Sequence, residues 1–422
     1  MTFDDRISPG FRRAFAATCV AALIAGAASI APAGKGPQLA LQTSRTRDGG
    51  SALADCAHAV AVKGAAYYVA GYKAGESNGR NASLDKCAAA LAWDGGYGHD
   101  GWPHLDDEFF DVALNARGEI YAAGFSNQLG RGRDIYLQKY MKNMQGAVQG
   151  AYMDMIGGDD AAHGVAIAKD GTVFAVGEAT VPRAPLHVWL GKYDKDLGYI
   201  TQATYSGPLG NAETGRAIAI DSNGDLIVAG SIARAGTGPD LWVAKFNEDL
   251  QFQSEVYVAG DGAGDDAAYG IVIDKKHRIW VVGAVAVAGQ GRDVWLGGFD
   301  ADLTPLGSVT RSVSAAGDDA ALSVATDNRG RLFLAGRTAA ATGGSMPWIG
   351  VFDTHFRFVT EATYAKAAQA APADALDGAN HIALMPGNTL LVVGGVTTAN
   401  GGGDVWMAKY RPLRLPAVKK PW

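Results

Sequence analysis

The residues of this 422-residue chain that could do chemistry fall into three groups. The first is a carboxylate pair that returns along the sequence as Asp106-Asp107, Asp159-Asp160, Asp265-Asp266 and Asp318-Asp319, with Glu213 at the matching place. Carboxylates gathered on one rim could attract a cation. Short acidic side chains are also what the backbone N–H groups of tight turns bind, and recurrence in unit after unit favours that structural role, because a site needs asymmetry. The second group lies in the stretch Asp94 to His104, where His99, Asp100 and His104 follow closely beside Tyr97 and Trp102. Imidazole and carboxylate at short spacing can ligate Zn²⁺ or another divalent ion, although the spacing matches no diagnostic motif such as H-E-x-x-H. A polar, glycine-rich surface loop accounts for the same residues. The third group is His58, Phe110, His163, Arg216, Tyr269 and His381, joined by Leu322, each next to the start of a short apolar run. These side chains differ from unit to unit, as a small-molecule or glycan site requires; large side chains that merely plug a channel would leave the same trace.

No local motif names a reaction. The sequence holds no G-x-S-x-G, P-loop or C-x-x-C, so it assigns no catalytic residue and implies no cofactor. The formal charge is −6 with no basic cluster, which leaves no electrostatic footprint for nucleic acid.

The elements that position these groups are repeats. Gly71, Gly124, Gly177, Gly230, Gly283 and Gly336 stand 53 residues apart, and Gly394 follows after 58. Tyr136, Trp189, Trp242, Trp295, Trp348 and Trp406 keep the same ruler. In the unit from Asp265 to Gly317, four short β-branched or aromatic runs are separated by Asp- and Gly-rich turns. The second run is apolar on both faces and therefore buried; the fourth alternates polar with apolar like an outer edge. Four antiparallel strands in each of seven repeats predict an all-β, seven-bladed β-propeller over 53–411, with repeats starting near 53, 106, 159, 212, 265, 318 and 374. In such a fold the third group should ring one mouth of the axial channel, and the recurring Trp should be inter-blade core.

Asp159-Asp160 through Gly177 with Trp189 to Asp194, and Glu213 to Gly230 with Asp240 to Asn247, carry the pattern D-D-x-A-x-G-I-x-I-D-x-x-G-x-I-x-V-A-G followed by D-V-W-L-x-K-Y/F-D. This pattern resembles the SBBP-type β-propeller repeat of secreted bacterial proteins, and the resemblance spans residues from about 53 to 411. It implies the propeller fold and an exported protein, and no particular activity.

The flanks fit export. Arg12-Arg13 precede an apolar, Ala-rich stretch, and Ala31-Pro32-Ala33 offers a cleavage site, so 1–33 reads as a signal peptide of twin-arginine or Sec type. Its removal takes away two aspartates and three arginines and leaves a mature charge of −7, with no further stretch long and apolar enough to span a membrane. A periplasmic or secreted location follows. Cys56 and Cys87 then remain, an even pair that reads as a disulfide, or as two buried thiols. On this reading repeat one lacks its aromatic, with Ala89 in the D-V-W position, and replaces its fourth strand with the His99 loop. Repeat seven lacks a fourth strand, since Arg411-Pro412 follows Tyr410. The segment 34–52, with Leu39 to Thr43 at its centre, is expected to supply that strand and close the ring, leaving 412–422 as a Pro/basic tail. Two functional classes stand on this reading: a non-enzymatic binding or scaffold module for a protein or glycan, and a hydrolase or lyase with its site at the channel mouth. The oligomeric state leaves no trace in the sequence.

Overall fold

Side-chain capping of turns cuts repeats two to six into strands. Asp221 accepts the N–H groups of Asn223 at 2.7 Å and Asp225 at 3.0 Å, and so closes the hairpin between Thr214–Ile220 and Leu226–Arg234. Asn247 does the same for Asp249 and Gln251 between Gly238–Phe246 and Phe252–Val258. The residue before the end of this second turn adopts positive φ in successive blades although it is Leu197, Leu250, Leu303 or Phe356. That conformation costs a branched side chain about 1–2 kcal/mol. Burial of Leu197, Leu250 and Leu303 in the inter-blade core, worth about 1.5–3 kcal/mol each, offsets it.

The computed structural model describes residues 36–47 and 54–416, apart from 76–78, 102–103, 145, 154–157, 182–183, 210–212, 235–237, 316, 342, 365–376 and 398–401. The expected signal peptide, 1–33, lies outside the described residues. Seven four-stranded antiparallel sheets form the blades of a propeller. Their innermost strands are Cys56–Lys63 (blade 1), Asp107–Leu114 (blade 2), Ala161–Ile167 (blade 3), Thr214–Ile220 (blade 4), Ala267–Ile273 (blade 5), Ala320–Thr326 (blade 6) and Gly378–Met385 (blade 7). Each innermost strand neighbours the next around the axis, and blade 7 neighbours blade 1. The core lies between blades: Phe174 and Val176 of blade 3 pack with Val228 and Trp242 of blade 4, and Tyr67 and Val69 of blade 1 with Leu391, Val393 and Met407 of blade 7. The recurring tryptophans are core, as expected, and Trp189, Trp242 and Trp348 each donate Nε1–H to an outer-strand acceptor 13 residues on, Gln202, Glu255 and Glu361.

The N-terminal strand Gln38–Arg47 completes blade 7 by pairing antiparallel with Gly403–Leu413, and Asp55 N–H donates to Gly403 O at 2.7 Å, tying blade 1 to blade 7. The third strand of blade 7 runs through Pro412 to Leu413. Proline is tolerated there because the pairing with the second strand has already ended at Tyr410.

Two expectations for repeat one are corrected. Its third strand is Arg80–Cys87, so Ser83, opposite Gly71, holds the place of the tryptophan, and a fourth strand exists at Trp93–His99. The disulfide is also absent: Cys56 and Cys87 are free. Cys56 pairs with Tyr72 and Cys87 with Tyr67 on the same second strand. That separation is about 17 Å along a strand, against the roughly 7 Å a disulfide can bridge. Cys87 sits in the core between blades 7 and 1 as a small apolar side chain.

Removing residues 1–47 should leave the third strand of blade 7 as an open edge and lower the unfolding midpoint by on the order of 10 °C in a circular-dichroism melt. An unchanged midpoint would show the closing strand to be dispensable.

Candidate functional site

The repeat's marker glycine also shapes the channel mouth. In every blade it sits across from the residue just before a β-bulge in the innermost strand: Ala162 pairs with Gly177 and Gly164 with Val176, so His163 is left over. A Cβ at Gly177 would overlap the carbonyl oxygen of Ala161, and one at Gly230 that of Thr214. Only glycine lets the two backbones come this close, and the bulge re-aims the extra residue. The seven bulged residues are His58, Phe110, His163, Arg216, Tyr269, Leu322 and Asn380.

These positions enclose a cavity of about 310 Å³, to which all six sequence-proposed ligand residues contribute. In blade 7 the bulged residue is Asn380, with His381 next to it. The sequence ruler contains that correction, since Asn380 follows Leu322 by the same 58 residues that separate Gly394 from Gly336. Around the mouth His58, Phe110 and His163 form a row of rings with centroids 5.2 and 4.7 Å apart, and the Arg216 guanidinium lies 5.3 Å from the Tyr269 ring centroid. Two carboxylates that the sequence reading missed stand behind the histidines. Glu108 is 3.3 Å from His58 Nε2 and 2.5 Å from Arg80, and Glu178 is 3.5 Å from His163 Nε2. Thr214 donates its hydroxyl to Glu178 at 2.6 Å, and these partners hold the Glu178 carboxyl down at about 2 despite burial. Asp111, beside the bulge, accepts the N–H groups of Val112 and of Val165 in blade 3, yet burial pushes its carboxyl up to about 6. His381 is pushed down to about 4 by burial, and its Nδ1 has no hydrogen-bond partner.

Chemically, this suits recognition better than proton transfer. Glu178 stays ionised and has no proton to give near neutrality, and both Asp111 oxygens are occupied by backbone donors. Imidazole–carboxylate pairs beside aromatic faces do present donors and acceptors together.

The acidic pairs play the structural role. Asp107, Asp160, Asp266, Asp319 and, unnoticed in the sequence, Asp55 and Asp377 each accept the N–H of a residue 19 or 20 positions on, at the end of the same blade's second strand. Glu213 accepts from Gly207, six residues earlier, as Asp107 does from Gly101 and Asp266 from Gly260. The first aspartate of the pair reaches back a blade: Asp106 to Arg80, Asp159 to Arg133, Asp318 to Arg292. His99, Asp100 and His104 do not assemble as a ligand set. His104 Nδ1 lies 2.9 Å from Asp100, whereas the His99 ring stacks on Tyr136 at 4.3 Å with Nε2 3.1 Å from Ser126 Oγ. No cluster of three or more His, Cys, Asp or Glu among the described residues could hold a metal ion.

No family model matches this sequence, and no curated protein matches it. Among solved structures the chain is similar to a protein of unknown function from Dyadobacter fermentans, with 12% identity over 71% of this chain and 93% of that one and a TM-score of 0.46. It is similar also to Sqt1 from Chaetomium thermophilum, with 12% identity over 85% and 82% of the two chains and a TM-score of 0.47. At that distance neither likeness bears on ligand or partner.

Two outcomes test these assignments. Asp266→Ala should cost about 1–2 kcal/mol in urea unfolding by orphaning the N–H groups of Gly260 and Ala286; no loss would reopen the rim as a functional site. Asp111 keeps its proton in the folded state up to about pH 6 against an ordinary 3.8, so it lowers stability as pH rises through that window. His381, pushed down from 6.5 to about 4, lowers stability as pH falls through its own. In unfolding measured from pH 4 to 6.5, Asp111→Asn should therefore lose stability on acidification more steeply than the native protein, and His381→Gln should gain. Parallel profiles for all three proteins would refute the assignment.

Proposed function

We propose that this chain is an exported binding propeller built on SBBP-type repeats, which holds a protein or glycan partner at the axial mouth. The observation that carries the reading is the convergence of unlike side chains from successive blades, on a strictly repeated scaffold, around one cavity of about 310 Å³. That volume lies at the lower end of the roughly 300–1,000 Å³ of ligand pockets. It suits one end of a larger partner, or a small ligand. A wall of His, Phe, Arg and Tyr is costly to maintain where alanine or leucine would fill the channel, and the unpartnered polar atoms of Arg216 and His381 fit a site completed by a ligand.

Export rests on Arg12-Arg13, the apolar stretch after them and the Ala31-Pro32-Ala33 site. No helix among the described residues is long and apolar enough to cross a membrane, and the net charge of −6 disfavours nucleic acid as the partner.

A glycan array and an affinity capture, both with residues 34–422, should yield a ligand whose binding disappears in the double variant His163→Ala/Arg216→Ala. The same variant should still unfold cooperatively, at a cost of about 1–3 kcal/mol for the Glu178 carboxylate left without its cationic neighbours. Binding that survives the double substitution would move the site away from the mouth.

A further inference from the structure

Arg216 is the unexplained group of the mouth. A guanidinium offers five N–H donors in one plane. Arg216 Nε is buried without a hydrogen-bond partner, and no hydrogen bond or ion pair joins any nitrogen of this side chain to another described residue. Glu178 accepts instead from the Thr214 hydroxyl and has His163 Nε2 3.5 Å from its other oxygen. The face of Tyr269 lies 5.3 Å from the Arg216 guanidinium, and the charge of Arg216 helps hold the Glu178 carboxyl down without a hydrogen bond between them. Arg80 and Arg292 are committed, Arg80 to Asp106 and Glu108 and Arg292 to Asp318, and Arg337 of blade 6 does not line the cavity. Arg216 Nε is kept out of water and left unpaired, while the half-buried side chain lines the cavity. A carboxylate satisfies such a planar fork with two parallel, charge-assisted hydrogen bonds.

The surroundings say what bears that carboxylate. Phe110, His163 and Tyr269 line the cavity, and aromatic rings are the side chains against which the C–H face of a sugar packs. The His58–Glu108 and His163–Glu178 pairs set donor next to acceptor, as neighbouring hydroxyls require. A peptide C-terminus would instead call for a nest of free backbone N–H groups, and Asp111, which lines the cavity, already accepts the N–H groups of Val112 and Val165 beside it.

We infer that the axial mouth is a subsite for an acidic sugar, a uronic acid residue of a polysaccharide, with Arg216 gripping the carboxylate and the aromatic arc holding the ring. This rests on the binding reading of the mouth and adds the chemical class of its ligand.

The test is calorimetric titration of the full mature chain with tri-galacturonate, a hyaluronan tetrasaccharide and the methyl ester of each. At least one acid is expected to bind, with its ester about tenfold weaker or more. Arg216→Gln should bring the acid down to the level of the ester, and Arg216→Lys should keep part of the preference, while both unfold like the native protein. Equal binding of acid and ester, unaffected by Arg216→Gln but lost in Phe110→Ala/Tyr269→Ala, would overturn the charge assignment and leave the mouth as a neutral glycan site. Binding that survives both sets would overturn the mouth itself. A tetrapeptide with a free C-terminus that binds through Arg216 where no acidic sugar does would overturn the sugar, as would a failure of every probe to bind.

Discussion

At the head of every blade but the fourth a buried carboxylate reaches about 20 residues forward to cap the backbone where the second strand ends, from Asp55 on Ala74 to Asp377 on Thr397. In several blades the backbone N–H of the same residue donates to the third strand of the preceding blade, Asp160 to Arg133 O and Asp319 to Arg292 O, both at 2.7 Å. One residue thus fixes a blade's own loop and its distance from the neighbour. Charged hydrogen bonds of this kind, out of water and short, are among the stronger ones a protein makes. The pairing Asp55 to Gly403 O is the same bond at the seam, so ring closure uses the interaction that spaces every other blade.

A second tie works from the opposite end of the third strand. Lys139 of blade 2 meets Asp196 and Lys195 O in the turn of blade 3, Lys245 of blade 4 meets Ala301 O of blade 5, and Lys409 of blade 7 meets Ala89 O of blade 1. Lys139 is only 4% exposed and lies between Glu119 and Asp196, which, with its other hydrogen bonds, outweigh its desolvation and push its ammonium above the ordinary range. Where this lysine is missing, in blade 5, Gly298 lets Phe356 of blade 6 and Trp280 fill the gap. Where both ties are present, one at each end of the strand, they hold neighbouring blades at fixed spacing.

That rigidity is what lets the mouth vary. The bulge opposite each marker glycine is set by backbone pairing, so its side chain can be His, Phe, Arg, Tyr, Leu or Asn on a constant blade, and in blade 7 Asn380 also donates to Ala57 O across the seam. Fixed donors and rings on such a frame lose little freedom on binding, which favours selectivity for a ligand of one shape and charge.

The sequence by itself determined the architecture. A 53-residue period carried by glycine and tryptophan, short strands between capped turns, and a final repeat without an outer strand left few ways to fold, since each blade must bury both faces and the last must find a partner. It also singled out the residues of the mouth, because variation at a fixed phase of a repeat is visible in one dimension. Tertiary structure alone decided what those residues do together: that each rides on a bulge, that Glu108 and Glu178 stand behind the histidines, and that Arg216 is left without an acceptor. It also decided the cysteines, since proximity of Cys56 and Cys87 in the chain says nothing about the strand lengths that place them at opposite ends of one blade. Periodic local signals survive projection onto a sequence. Pairing between separate strands does not, because it depends on register and on which backbone groups are already occupied.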